Sequence, residues 1–327
     1  MEVPTENKDI LIAWINFGNF KENNMDTKGK KVALLFICLN PPYWPYVKDA
    51  IQDCRKYFLT NHEDNHQVDF FLWTDLPEEV TYGATVFPTE PVQWPLPTLM
   101  RYHLFIQQEE ILKDYDYIFY LDADMRVVDF IGNEILGDGL TSALHPMYAL
   151  KPSYKSPYEP NPDSTAYIHQ PRHYFAGGFQ GGVAKDFLKA MRVMKENIDK
   201  DFMKNYTARW NDESHWNRYL FDNPPCIILD PSYIYPDSLI KEYYEPLWGK
   251  SYKPKIITLT KPFTTSKEGG AAVNEMIGAS KDAQLPLGNT IKCEKCGVAI
   301  SLPGKQMVRV VTCNGSDRPH EVEMKNL

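Results

Sequence analysis

A chain of 327 residues is long for one domain but ordinary for an α/β enzyme carrying small appendages. Its 43% apolar and 24% charged residues can bury a large core and exclude disorder throughout. A formal charge of −8 leaves no broad basic face for a phosphate backbone, so nucleic acid is not an expected partner. The most apolar run near the start, Ile10 to Ile15, is too short for a bilayer span or a secretory core. A soluble, cytoplasmic protein without a transmembrane segment is expected, and the isolated Cys38, Cys54 and Cys226 fit reduced, buried thiols.

In chain order, residues 1–29 read as an N-terminal extension and 30–266 as the main α/β domain. Lys31 to Leu39 (KVALLFICL) is nearly continuous in apolar residues, the pattern of a strand buried on both faces. Helical spacing follows from Tyr46 to Phe58, then a second strand at Val68 to Trp73, a helix at Thr98 to Lys113, and a third strand at Tyr117 to Leu121. That βαβαβ order predicts an open sheet whose ligands bind at the carboxyl ends of its strands. The Pro- and Tyr-rich Pro146 to Pro171 reads as a substrate-facing loop or an insertion, and helices return at Lys185 to Asn197 and Glu213 to Leu220. Small and polar residues over 267–288 resemble a lid or linker, leaving 289–327 as a small β or zinc-ribbon-like module.

Three constellations carry chemistry. Asp122-Ala123-Asp124 sets two carboxylates directly after a buried strand, a donor set that suits Mn²⁺ or Mg²⁺ clamping a diphosphate. The alternative is a pair of solvated loop aspartates. Neither a Walker-type loop nor a G-x-G-x-x-G after the first strand is present, so phosphate binding would rest on metal and basic side chains. Phe175 to Gly182 (FAGGFQGG) packs four glycines between aromatics, offering close backbone approach to a sugar ring or, equally, a tight strand-to-helix connection. Trp210-Asn211-Asp212-Glu213-Ser214-His215 opens an amphipathic helix with Trp216, Tyr219 and Leu220 on its buried face. Asn211 or Asp212 is expected to cap it, leaving Glu213 ionised in the first turn, where a carboxylate can stabilise a developing oxocarbenium. Plain helix capping is the alternative there.

FYLDADM, LHP at Leu144 to Pro146, HYFAGGFQGG and WNDESHWNRYL, in this order, resemble glycosyltransferase family six, which includes the ABO blood-group and α-1,3-galactosyl transferases; the resemblance runs from about Lys31 to Lys261. It implies a GT-A type, Rossmann-like nucleotide-sugar-binding fold with a mixed central sheet. It also implies transfer, with retention, of GalNAc or Gal from UDP-GalNAc or UDP-Gal to the 3-position of a β-galactoside, with fucosylated acceptors included, and usually Mn²⁺. By this resemblance Asp122 and Asp124 are the metal and donor aspartates, and Phe36, Ile37 and Tyr43 form the uridine-binding stretch. Arg101 steadies the donor, Asp212 holds the donor sugar, and Lys261 or Lys267 reaches the diphosphate. His145 and Trp210 are similar to acceptor-binding residues, Glu213 to the nucleophile or charge stabiliser, and Ala176, Gly177 and Gly178 to the donor-selecting segment. Gly178 would leave room for a 2-acetamido group, which leans the expectation towards UDP-GalNAc.

The sequence also departs from family members. Asp122 and Asp124 stand where many bacterial members carry Asn-x-Asn, and the membrane anchor of vertebrate members is not read here, so a metal-dependent enzyme of soluble microbial or viral type is expected. Asn211 replaces a histidine, and Ile234-Tyr235-Pro236-Asp237 departs from Leu-Trp-Asp, which bears on the acceptor. Two rival readings are a binding protein that lost turnover and a retaining UDP-glucosyltransferase. Near the end, Cys293 and Cys296 form a C-x-x-C knuckle that Cys313 and His320 can complete as a structural Zn²⁺ site; a reduced β module is the alternative.

Overall fold

The computed structural model describes residues 28–75, 82–92, 94–149, 157–170, 173–237 and 252–260, with four short strands between 290 and 322. Strand β1 (Lys31–Cys38) alternates cleanly about the sheet. Val32, Leu34 and Phe36 enter one core cluster, and Ala33, Leu35 and Ile37 the other. Burial on both faces is why the segment reads as an unbroken apolar run. Helix α1 (Trp44–Tyr57) buries Val47, Ala50, Ile51 and Cys54, spaced as one helical face, and packs them on the first cluster.

Strand β2 (Gln67–Thr74) pairs parallel with β1, and β3 (Thr85–Pro88) adds a short parallel edge that the periodicity did not reveal. Four partly exposed residues ending in proline are too few to set an alternation. The single helix expected over Thr98 to Lys113 is three short ones: α2 (Leu96–Leu99), α3 (Arg101–Ile106) and α4 (Glu109–Leu112). Met100 (φ −88°, ψ 0°) and Gln108 (φ −109°, ψ 21°) leave helical geometry between them. Periodicity survives such breaks, because apolar residues still meet one core.

Strand β4 (Tyr117–Leu121) is wholly buried and continues through a turn into β5 (Met125–Val127). After β6 (Leu140–Leu144) comes β7 (Phe175–Val183), so the glycine-rich segment, read as backbone open to a sugar or as a tight strand-to-helix connection, is a nine-residue strand that leads directly into a helix. Its glycines are needed by its neighbours. A Cβ on Gly181 would stand 2.4 Å from the Ile118 carbonyl oxygen, and Gly182, at φ +135°, lies where a Cβ would be 2.3 Å from that of Gly139. Helices α5 (Ala184–Met203) and α6 (Asn211–Asp222) follow, then β8 (Ile227–Leu229), β9 (Tyr235–Pro236) and β10 (Ile256–Thr258).

The main sheet runs β3-β2-β1-β4-β7-β6-β8, with β7 antiparallel to both its neighbours and the other pairings parallel. This is the mixed α/β arrangement of a GT-A-like fold. A small second sheet, β5-β10-β9, lies beside the turn after β4. Residues 157–170 are pinned by two buried carboxylates. Glu159 accepts from Tyr206 Oη (2.7 Å) and the Arg209 amide (2.6 Å), and Asp201 from Ser164 Oγ (2.6 Å) and the Thr165 amide (2.8 Å). They tie this loop to the end of α5 and the approach to α6.

Cys38 and Cys54 are buried as expected, whereas Cys226 is exposed, because it stands at the start of the edge strand β8. Among the described residues no helix is long and apolar enough to cross a membrane. Strands β11 (Thr290–Lys292) and β12 (Ala299–Ser301) pair antiparallel, as do β13 (Val311–Cys313) and β14 (His320–Val322), which sets Cys313 opposite His320 in backbone register. Lys261, Lys267, Cys293, Cys296 and the expected linker over 267–288 lie outside the described residues.

Candidate active site

The carboxyl end of β4 delivers Asp122 and Asp124 into a cleft of about 680 Å³, counting its open mouth. Ile37, Tyr43, Thr98 and Arg101 also line it. Phe36 does not share that lining: its side chain is fully buried and stacks on Phe70, because successive residues of β1 face opposite sides of the sheet. Asp122 is fixed from three directions. Its amide donates to the Gly178 carbonyl (2.9 Å), and its Oδ1 accepts from Arg101 Nη2 (3.3 Å) and from the Tyr120 hydroxyl.

Arg101 lies under the cleft, 4% exposed, and joins three elements. Beyond Asp122, its Nη1 is 3.1 Å from Asp212 Oδ2 and donates to the Gly177 carbonyl at 3.1 Å, while its guanidinium stacks over Tyr120 at 4.3 Å. Burial opposes the guanidinium charge, but Asp212, Tyr120 and Asp122 outweigh it and hold the proton firmly. The Gly177 carbonyl also accepts from Gln180 Nε2 (2.7 Å), and Gln180 Oε1 accepts from Tyr102 Oη (2.9 Å), so the start of β7 is locked to α3.

Helix α6 brings Asp212 and Glu213 to the same place, but not as a capped helix. Its N-cap is Trp210, with no side-chain cap bond, and Asn211 takes φ +52°. Asp212 is drawn away from capping by its ion pair with buried Arg101. Burial raises its carboxyl to about 6 against the pull of Arg101. Glu213 accepts from Tyr174 Oη at Oε1 (2.6 Å) and from the Gly177 amide at Oε2 (2.8 Å). Burial nevertheless lifts it to about 7, so the carboxylate expected to be comfortably ionised by the helix dipole is instead balanced near neutrality.

His145 sits beside this group. Its amide donates to the Tyr174 carbonyl (3.0 Å), its ring lies 5.7 Å from that of Tyr174, and burial lowers its imidazole to about 4, leaving it neutral. Trp210 is 38% exposed at the start of α6, with Arg209 5.7 Å from its ring centroid.

Along β7, Ala176 is buried and Gly177 backs onto Glu213, where a Cβ would meet Glu213 Cβ at 3.3 Å. The space beside Gly178 is filled by the protein itself. A Cβ there would stand 2.1 Å from Met125 Cε and 2.8 Å from Asp122 Oδ2.

Tyr120, Tyr174 and Gln180 escaped the sequence reading. Tyr120 was accessible in principle, since a residue two before Asp122 on a strand shares its face. Tyr174 and Gln180 gave only the signal of polar atoms inside apolar segments.

Among the described residues no cluster of three or more His, Cys, Asp or Glu stands ready to hold a metal ion. Among the described residues lining the cleft, Asp122 and Asp124 are the carboxylates. Such a sparse, hard donor set fits a divalent cation whose remaining positions go to diphosphate oxygens and water.

A mixed seven-stranded sheet with acidic residues at the end of an inner strand defines the class, a GT-A-like glycosyltransferase fold. The sequence pattern of Glycosyltransferase family 6 matches residues 22–244, and the chain belongs to that family. It is 28% identical over 208 residues to human globoside alpha-1,3-N-acetylgalactosaminyltransferase 1, covering 60% of this chain and 58% of that protein. To histo-blood group ABO system transferase 1 of Rattus norvegicus it is 27% identical over 210 residues, covering 61% and 59%. The O-antigen biosynthesis glycosyltransferase WbnI of Escherichia coli is 29% identical over 186 residues, covering 56% and 75%. The chain thus spans somewhat under two thirds of the length of the first two relatives.

Proposed function

We propose that this chain is a retaining hexosyltransferase that moves GalNAc or Gal from a UDP-sugar, in α-1,3 linkage, to a β-galactoside acceptor. One observation carries the reading: Arg101 ties the cleft aspartate Asp122 to Asp212, and the neighbouring Glu213 is held on Gly177, whose carbonyl Arg101 also binds. Donor, leaving group and anomeric carbon can therefore be served by one rigid unit. The relatives named above as α-1,3-N-acetylgalactosaminyl and blood-group transferases support the same reading.

Asp122 and Asp124 would hold a divalent cation, Mn²⁺ or Mg²⁺, which when bound supplies positive charge against the departing UDP. Ile37 and Tyr43 lie on the cleft wall proposed for uridine. Asp212, its charge kept by Arg101, is suited to hydroxyls of the donor sugar, and His145, neutral and boxed by tyrosines, to the acceptor. Ionised Glu213 stabilises the electron-poor anomeric carbon on its β face. Retention then follows either through a glycosyl-Glu213 ester or through front-face attack with a donor phosphate oxygen taking the acceptor proton. The lean towards UDP-GalNAc rests on the small residue at Gly178, and UDP-Gal stands beside it as a donor.

Glu213→Gln tests the assignment. We expect transfer to drop by roughly a hundredfold or more while UDP affinity stays near the wild-type value. Unchanged turnover would remove Glu213 from the chemistry.

A further inference from the structure

We propose that Tyr174 is a positioning residue that holds Glu213 in its working orientation and in its charged form through the hydrogen bond from its hydroxyl. This rests on the reading of Glu213 given above. Among the described residues each Glu213 oxygen has one donor, Tyr174 Oη at 2.6 Å and the Gly177 amide at 2.8 Å, so the carboxylate plane is set from both sides. Donors to a carboxylate favour its ionised state.

The spacing between the two residues is fixed by the chain and not left to rotamers. Asn217, one turn beyond Glu213 on α6, accepts from the Phe175 amide (2.8 Å) and donates to the Phe175 carbonyl (2.8 Å) and to the Glu213 carbonyl (2.9 Å). The residue after Tyr174 is thereby stapled to the helix that carries Glu213. The ring of Tyr174, 2% exposed, packs edge-to-face with His145 at 5.7 Å, Tyr148 at 5.3 Å and Tyr158 at 5.4 Å, and its carbonyl accepts from the His145 amide. It cannot swing aside without emptying that cluster.

The charges around Glu213 make the hydroxyl matter. Asp212 on the same helix and Asp122 from the β4 turn both oppose its ionisation, and burial opposes it most. Arg101 is committed to those two aspartates and the Gly177 carbonyl. His145 is neutral, and Tyr174, its own ionisation pushed well up by burial and by Glu213, stays a proton donor. Among the described residues the Tyr174 hydroxyl and the Gly177 amide are the groups that favour the Glu213 charge.

Tyr174→Phe removes one oxygen and keeps the ring. In the full-length protein we expect the acidic limb of kcat to move to higher pH, with a loss of roughly tenfold at pH 7 that narrows by pH 9, and the KM for the UDP-sugar to stay within about twofold. Tyr158→Phe, whose hydroxyl donates to the His173 carbonyl, should keep the wild-type limb. A Tyr174→Phe limb unmoved from wild type, whether or not turnover falls, overturns the proposal. NMR titration of the Glu213 carboxyl carbon, assigned by its absence in Glu213→Gln, gives a readout independent of turnover. A midpoint raised by Tyr174→Phe supports the role of Tyr174 even if no tested sugar is transferred, and an unchanged midpoint contradicts it.

Discussion

Asp212 and Glu213 are neighbours in the chain yet are held by unlike partners, one by a buried guanidinium and the other by a phenol and an amide. Both titrate high, Glu213 raised from 4.5 to about 7 and Asp212 from 3.8 to about 6. The sign of the stability effect follows from proton counts. Between about pH 4.5 and 7 the folded protein holds the Glu213 proton more tightly than the unfolded chain, so this group makes stability fall as pH rises through that window. Above it, both states are ionised and the full cost of burying the charge remains. Relative to wild type, the melting temperature of Glu213→Gln should therefore be higher at pH 8 than at pH 5, by calorimetry; a difference that does not change with pH would show that Glu213 is not strained. The ordered motifs made Asp122, Asp124 and Glu213 legible as candidates, and the family resemblance added Arg101. What could not be read was the partner of each, since Tyr174 lies 39 residues from Glu213 and Arg101 lies 21 from Asp122. Burial, which decides the charge state, is a property of the assembled fold.

At the scale of elements, β1, β2 and β4 were readable because strands buried on both faces leave apolar runs, and α6 because its inner face repeats with helical spacing. Strand β7 was not: glycine carries no β-forming signal, and only its neighbours require it. Those neighbours give a direct test. Gly181→Ala would set a methyl 2.4 Å from the Ile118 carbonyl, and because β4 and β7 pair through this point, the strain falls on the backbone. We expect a loss of about 1–3 kcal/mol, read from the denaturant midpoint, and weaker metal-supported UDP binding, because the Gly178 carbonyl holds the Asp122 amide. A midpoint within error of wild type would contradict the tight β4–β7 contact. The broken helices α2 to α4 were hidden for a different reason: a turn that departs briefly from helical geometry can keep its apolar residues on one face.

For the whole molecule, the proposed chemistry lies at the carboxyl end of β4, where residues of α3, β7 and α6 meet Asp122 and one another. Two core clusters, one on each face, keep the sheet rigid beneath the cleft. We propose that this cleft transfers a hexose from a UDP-sugar with the help of a divalent cation. The most direct measurement is UDP release by the full-length protein from UDP-GalNAc and from UDP-Gal, with and without added Mn²⁺, in the presence of a fucosylated β-galactoside. We expect Mn²⁺-dependent release from at least one donor, stimulated by the acceptor; no release from either donor by folded, metal-loaded protein would contradict a transferase at this cleft.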